Sequence, residues 1–196
     1  MFQFEPRTYC NLGRELLTAM PLPSLGPGQP HQALRERLSS LTPETLAEGK
    51  KLRDREMAMC CLSGLWLLYD FLDESHSISQ DISTTAGSYW HAIMHRREPD
   101  FGNSKYWFRR VGHFPIEQDL CESAGQLAKQ HNLKSIALDR DVEFIQTQGQ
   151  WDHFRFVDLC EAAYRGRSGA SSLCQQIALV EWQLLFDHCY RFAVGE

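Results

Sequence analysis

In two long stretches of this chain, apolar residues recur mostly three and four positions apart, a spacing that one face of an α-helix can bury and a strand cannot. From Gly49 to Ser77 the series is Met57, Cys61, Gly64, Leu65, Leu68 and Leu72, which predicts a single central helix. From Ser171 to Phe192 it is Leu173, Ile177, Val180, Leu184 and Cys189, an apolar stripe on a closing helix. Shorter helices fit between stop signals. Gln32 to Leu38 can form one, and Thr42 before Pro43 is an N-cap with proline at the first helical position. The run Ser77 to Gly87 breaks the pattern. A helix starting near Thr85 or Gly87 should stop at Glu98, because Pro99 disfavours helical geometry in the residue before it. Ser104 to Val111, Ile116 to Gln130 with Asn132 as its cap, and Asp152 to Tyr164 are further helices. The segment Asp141 to Gln148 reads as a short helix or an isolated strand, and one strand alone would lack a partner.

The expected fold is all-α: a single-domain, bundle-like array of about six or seven helices. Residues 1–31 form an N-terminal segment and proline-rich arm, since Met20 to Pro30 holds four of the eight prolines, and residues 32–196 form the helical domain. With 43% hydrophobic residues in 196, a sizeable core needs neither disulfides nor structural metals. No basic leader with an apolar run opens the sequence and no apolar run of about 18 residues occurs, which disfavours secretion and membrane insertion. The seven cysteines are scattered without a C-x-x-C pair and read as buried reduced thiols in a reducing cytoplasm. A net charge of −5 argues against a nucleic-acid footprint. Homo-oligomerisation is left open.

Chemistry concentrates between Asp70 and Arg110. His91, His95 and Glu98 stand four and three residues apart, within about 60° on a helix, where two imidazoles and a carboxylate can converge on a divalent metal. Ala92 follows His91 where a zincin needs Glu, so that motif is absent. Further ligands are offered by Asp70, Asp73, Glu74 and His76, although one Asp-x-x-His pair falls short of a ferritin-like di-iron set. Around them Arg96, Arg97, Lys105, Arg109 and Arg110 interleave with Trp90, Tyr106, Trp107 and Phe108, a combination suited to a phosphorylated or carboxylate ligand. The same residues also suit a buried hydrogen-bond network, with Arg96 and Arg97 paired to nearby carboxylates. Glu181 and His188, seven apart on the last helix, are expected from spacing alone to point inward; His31, His113, His131 and His153 read as surface residues or local caps.

The segments Leu68 to Gln80 and Ser88 to Pro115 contain Tyr-Trp-His, His-Arg-Arg-Glu and Asn-x-Lys-Tyr-Trp-Phe-Arg. In these motifs the chain resembles a family of uncharacterised helical proteins over roughly Leu65 to Pro115, a resemblance that implies no reaction, cofactor or ligand.

The leading expectation is a small-molecule binding protein or hydrolase with a cleft in residues 70–110. There His91 or His95 acts as general base, Glu98 or Glu74 orients it, and Arg97, Lys105 or Arg109 stabilises negative charge, with Asn103 and Trp107 on the ligand. A divalent ion held by His91, His95 and Glu98 is the metal-assisted form. The alternative is a non-catalytic helical interaction module in which these residues form a structural network.

Overall fold

The computed structural model describes residues 2–9, 11–131 and 140–196, and every regular element among them is helical. Eleven α-helices follow one another: α1 (Asn11–Thr18), α2 (Arg35–Ser39), α3 (Pro43–Leu46), α4 (Arg55–Leu68), α5 (Leu72–Ser79), α6 (Thr85–Arg97), α7 (Phe101–Val111), α8 (Glu117–Gln130), α9 (Arg140–Thr147), α10 (His153–Tyr164) and α11 (Ser171–Val194). Two 3₁₀ turns, Pro6–Thr8 and Gln32–Leu34, precede α1 and α2. The count exceeds the expected six or seven because short helices form around the arm and because the expected central helix is two helices. No helix among the described residues is long and apolar enough to cross a membrane.

Local chemistry sets most of these boundaries. Thr42 and Thr45 cap α3 reciprocally, each side chain accepting the other's backbone N–H. Asp54, Thr84, Asp100 and Asp152 accept N–H groups of the first turns of α4, α6, α7 and α10. The segment 141–147 is helical, with Val142, Phe144 and Ile145 buried, rather than a strand. The Asn132 cap lies outside the described residues.

The central helix expected from Gly49 to Ser77 begins only at Arg55 and divides at Tyr69 to Phe71. Asp70 adopts a left-handed backbone conformation (φ 64°), and the Phe71 N–H turns back to the Trp66 carbonyl at 3.0 Å. A non-glycine residue in that region costs about 1–2 kcal/mol, and the polar short-chain residues bear it best. Here the Asp70 carboxylate is held by the Arg97 guanidinium at 2.5 Å and by the Gln29 N–H at 3.0 Å. No glycine or proline marks the break, and the apolar spacing runs through it from Leu68 to Leu72, which is why periodicity alone misses it.

One core cluster runs from Tyr9 through Leu16 and Leu17 near the N-terminus to Val194. Its middle is α6, in which every residue from Ala86 to Arg97 is buried. Helices α4, α5 and α7 pack against it, while α11 packs on α4, α8 and α10. Free thiols Cys60, Cys61, Cys160, Cys174 and Cys189 are buried in this packing, and Cys121 is half-buried.

At Gly64, α4 meets α6 and α11 through two indole rings. A Cβ on Gly64 would stand 2.6 Å from the Trp90 ring, and the Gly64 carbonyl accepts the Trp182 indole N–H at 2.8 Å. Glycine is therefore used where it costs helix propensity, because the Trp90 ring lies against the α4 backbone. Gly64→Ala gains about 1 kcal/mol of helix propensity. Overpacking by about 1–3 kcal/mol opposes that gain. We expect net destabilisation in urea unfolding, partly reversed by adding Trp90→Phe, which would show coupling between the two sites.

Candidate metal centre

The break at Asp70 turns α5 so that its inner face meets α6, and this brings a third histidine to the pair on α6. His91 and His95 lie one turn apart with ring centroids 4.5 Å from each other; His76 on α5 stands 4.8 Å from the first and 5.2 Å from the second. One nitrogen from each ring falls within 4.8 Å of the others. The Nε2 atoms of His91 and His95 are 2.8 Å apart. Donors bound to one tetrahedral cation at 2.0–2.1 Å would be separated by about 3.3 Å, so the pair needs to part by only about half an ångström.

The far nitrogens are anchored. His95 Nδ1 sits 3.0 Å from Glu98 Oε2, and His91 Nδ1 sits 3.0 Å from Ser79 Oγ. A carboxylate only accepts, so His95 carries its proton on Nδ1 and turns a lone pair on Nε2 toward His91. Without a cation, His91 must then donate Nε2–H to His95 and accept the Ser79 hydroxyl on Nδ1. The Asn103 amide, on the first turn of α7, also reaches His95 Nε2 at 3.0 Å. The same amide nitrogen lies 3.4 Å from His95 Nδ1, so it sits beside both ring nitrogens, off the Nε2 lone-pair axis. Trp107 closes the outer side, its ring 4.3 Å from that of His91 and itself beneath the Arg110 guanidinium.

His91 is 2% exposed and His95 5%. Burial, with smaller contributions from His95 and His76, pulls the His91 pKa down to about 3. Burial also lowers His95, with Glu98 working in the opposite direction. At neutral pH both imidazoles are held neutral, the form that can bind a metal.

The remaining residues singled out in the sequence take other places. Glu98 is not a third arm beside the two histidines; it holds the back of His95. Glu74 pairs with Arg35. Arg97 is buried against Asp70 and donates to the Gly26 carbonyl at 2.9 Å, and Lys105 pairs with Asp158 on α10. Arg109 is exposed, stacked over Phe154. The structure therefore brings together His91, His95, Glu98, Asn103 and Trp107, and sends Glu74, Lys105 and Arg109 elsewhere. Arg96 reaches across the core to Glu181, whose other oxygen accepts the Tyr89 hydroxyl at 3.1 Å. Burial works against the Arg96 charge, and Glu181 more than restores it. Arg96 Nη1 and Trp90 Nε1 are buried without a partner. Glu181 and His188 do not meet: His188 packs on Phe114.

Two features escape the sequence reading. Ser79 becomes a partner of His91 only through the turn of α5, and no spacing signals it. His153 is no surface residue: it is buried, stacked on Phe108 and bonded to Glu117 at 2.9 Å and to the Trp151 indole at 3.2 Å. The segment Trp151-Asp152-His153, a buried indole two residues before a helix start, was its one available signal.

No protein-family model, curated protein or solved structure matches this chain. Its functional reading rests on these side chains.

The metal-free protein should lose stability on acidification through His91. Its folded pKa is depressed, so its contribution is complete above the unfolded value near 6.5 and is lost as pH falls toward about 3. While the unfolded chain binds one proton more than the native one, stability changes by about 1.4 kcal/mol per pH unit. Urea midpoints measured with a chelator from pH 7.5 to 4.5 should fall more steeply for wild type than for His91→Gln; parallel curves would refute the assignment.

Proposed function

We propose that this protein binds a divalent first-row transition-metal ion through His76, His91 and His95. The observation that carries this reading is the anchoring of the outer nitrogens: Glu98 behind His95 and Ser79 behind His91 fix each ring with its inner nitrogen on the common centre. Outer-sphere carboxylates and hydroxyls of this kind orient histidine ligands and raise their basicity. Three neutral imidazoles suit zinc, iron, cobalt, nickel or copper better than calcium or magnesium.

Electrostatics around the site favour a cation. A groove of about 610 Å³ reaches Glu98 and is bordered by Asp73 and Asp100, with Asp70 and Glu74 paired to Arg97 and Arg35. Of the cations expected to recognise an anion, Arg97 and Lys105 are engaged with Asp70 and Asp158, and Arg109 lies over the Phe154 ring. Metal-assisted hydrolysis of a small molecule is the enzymatic form of this reading, with the ion activating a water in an open coordination position. The buried free thiols fit a cytoplasmic setting.

The near-complete burial of His91 and His95 favours a second reading, in which the histidines form a metal-free network that pins α5 and α7 to α6. Elemental analysis of tag-free protein separates the two. We expect one equivalent of metal in wild type, its loss in a His91→Ala, His95→Ala variant, and a marked loss in His76→Gln, whose half-buried position spares the core. Wild-type protein that carries no metal and takes up none of zinc, cobalt or nickel on titration would leave the network reading standing.

A further inference from the structure

Helix α7 has two unlike sides. Phe101, Ser104, Phe108 and Val111 are buried against the core, whereas Gly102, Tyr106, Arg109 and Arg110 are exposed. The Tyr106 side of the helix is therefore its outer face, and the tyrosine itself is 48% exposed. At 100° per residue, Arg109 and Arg110 stand one turn further on, about 60° to one side of Tyr106 and about 40° to the other. No acidic residue occurs between Asp100 and Glu117, so α7 supplies no negative charge of its own to this face.

Neighbouring helices do not neutralise it either. Lys105, at the seam with α10, takes Asp158, but Arg109 and Arg110 have no carboxylate partner among the described residues. Each lies over an aromatic ring instead: the Arg109 guanidinium 5.8 Å from the centre of Phe154, and that of Arg110 5.0 Å from the centre of Trp107. Arg155, in the first turn of α10, lies 4.2 Å from the centre of Phe144 in the same way. A ring face attracts the cation without consuming its N–H groups, so these side chains are steadied while their donors stay unspent.

Unspent arginine donors around an exposed tyrosine are the side chains that carry most of the energy at protein interfaces. Charge selects the partner. On a chain of net charge −5 this local positive face attracts carboxylates, which a guanidinium grips through paired hydrogen bonds. A nucleic acid requires a broad cationic footprint, and here Asp100 precedes α7 and Asp158 lies against Lys105.

We propose that the outer face of α7 is a docking surface for an acidic segment of a partner protein, with Arg109 and Arg110 gripping carboxylates and Tyr106 packing on an apolar side chain between them. Docking here requires no metal. The histidines lie on the other side of Trp107, whose ring meets His91 as well as the Arg110 guanidinium.

Three labelled probes test this by fluorescence anisotropy with the full chain: a short peptide of glutamates flanking a leucine, the same peptide with glutamine for glutamate, and a single-stranded oligonucleotide. A chelator is present throughout, so that no carboxylate reports on the histidine cluster. The acidic peptide should bind, more weakly as salt is raised, and the glutamine peptide should not. Arg109→Glu with Arg110→Glu should abolish binding, and Tyr106→Ala should weaken it roughly tenfold or more. Arg109→Gln with Arg110→Gln, which removes the charges without adding any, should also weaken it at least about tenfold and guards against reading a folding defect as lost contacts. Lys51→Glu with Arg53→Glu makes the same change in net charge at two exposed cations near the end of α11, where the Arg53 N–H meets the Ala193 carbonyl, and should keep most of the affinity. An acidic peptide bound no better than its glutamine counterpart, an equal loss in the two charge-reversed proteins, or an oligonucleotide bound more tightly than the acidic peptide overturns the proposal.

Discussion

Helix α6 is buried along almost its whole length, yet it carries two histidines and two arginines, and this conflict organises the molecule around it. A buried charge left without a partner costs about 3–5 kcal/mol, so each polar side chain of α6 needs an answering group on another element. The answers come from different directions: Glu181 on α11 for Arg96, Asp70 at the break before α5 for Arg97, Ser79 on α5 for His91, and Glu98 with Asn103 for His95. Hydrophobic packing alone would allow α6 to slide or rotate among similar arrangements. Four directional demands on one helix leave a single register.

The all-helical class and most helix ends were legible because they rest on local rules: three-and-four spacing, Thr42 before Pro43, Asp152 before α10 and Pro99 after α6. The pairing of His91 with His95 followed from helical geometry for the same reason. What could not be read depended on distant residues. Asp70 adopts a left-handed conformation because Arg97, 27 positions away, and the arm receive its carboxylate. Without that break His76 and Ser79 would not face α6. Glu98 was legible as a neighbour of His95 but not as the group behind its ring, since spacing along a helix gives a direction without giving a side-chain rotamer. His153 and Glu181 are polar residues inside apolar surroundings, and their partners Glu117 and Arg96 lie 36 and 85 positions away.

Charge also reads differently in space than in sequence. Between Arg96 and Arg110 five cations gather within fifteen residues of an acidic chain, and in one dimension this resembles an anion-binding patch. In three dimensions Arg96 points into the core, Arg97 to the arm and Lys105 to α10, while the groove that reaches Glu98 is bordered mainly by carboxylates. Successive positions on a helix diverge by 100°, so a run of like charges is divided among separate surroundings. The potential at the site is set by what folds over it.

The Asp70 carboxylate has one more consequence. It fills the space beside Gly28 that a Cβ would occupy, accepts the Gln29 N–H and holds Arg97, whose Nε reaches the Gly26 carbonyl. The proline-rich arm is thus clasped by the same residue that ends α4, and Pro27, Gly28 and Pro30 wall the groove beside Glu98. Arm, helix break and groove wall form one cooperative unit: if the arm lifts, Arg97 loses its cover and Asp70 loses the contacts that offset its backbone strain. Any local opening there would be felt at Glu98, the residue behind His95, making the arm a latch on that groove rather than a passive tether.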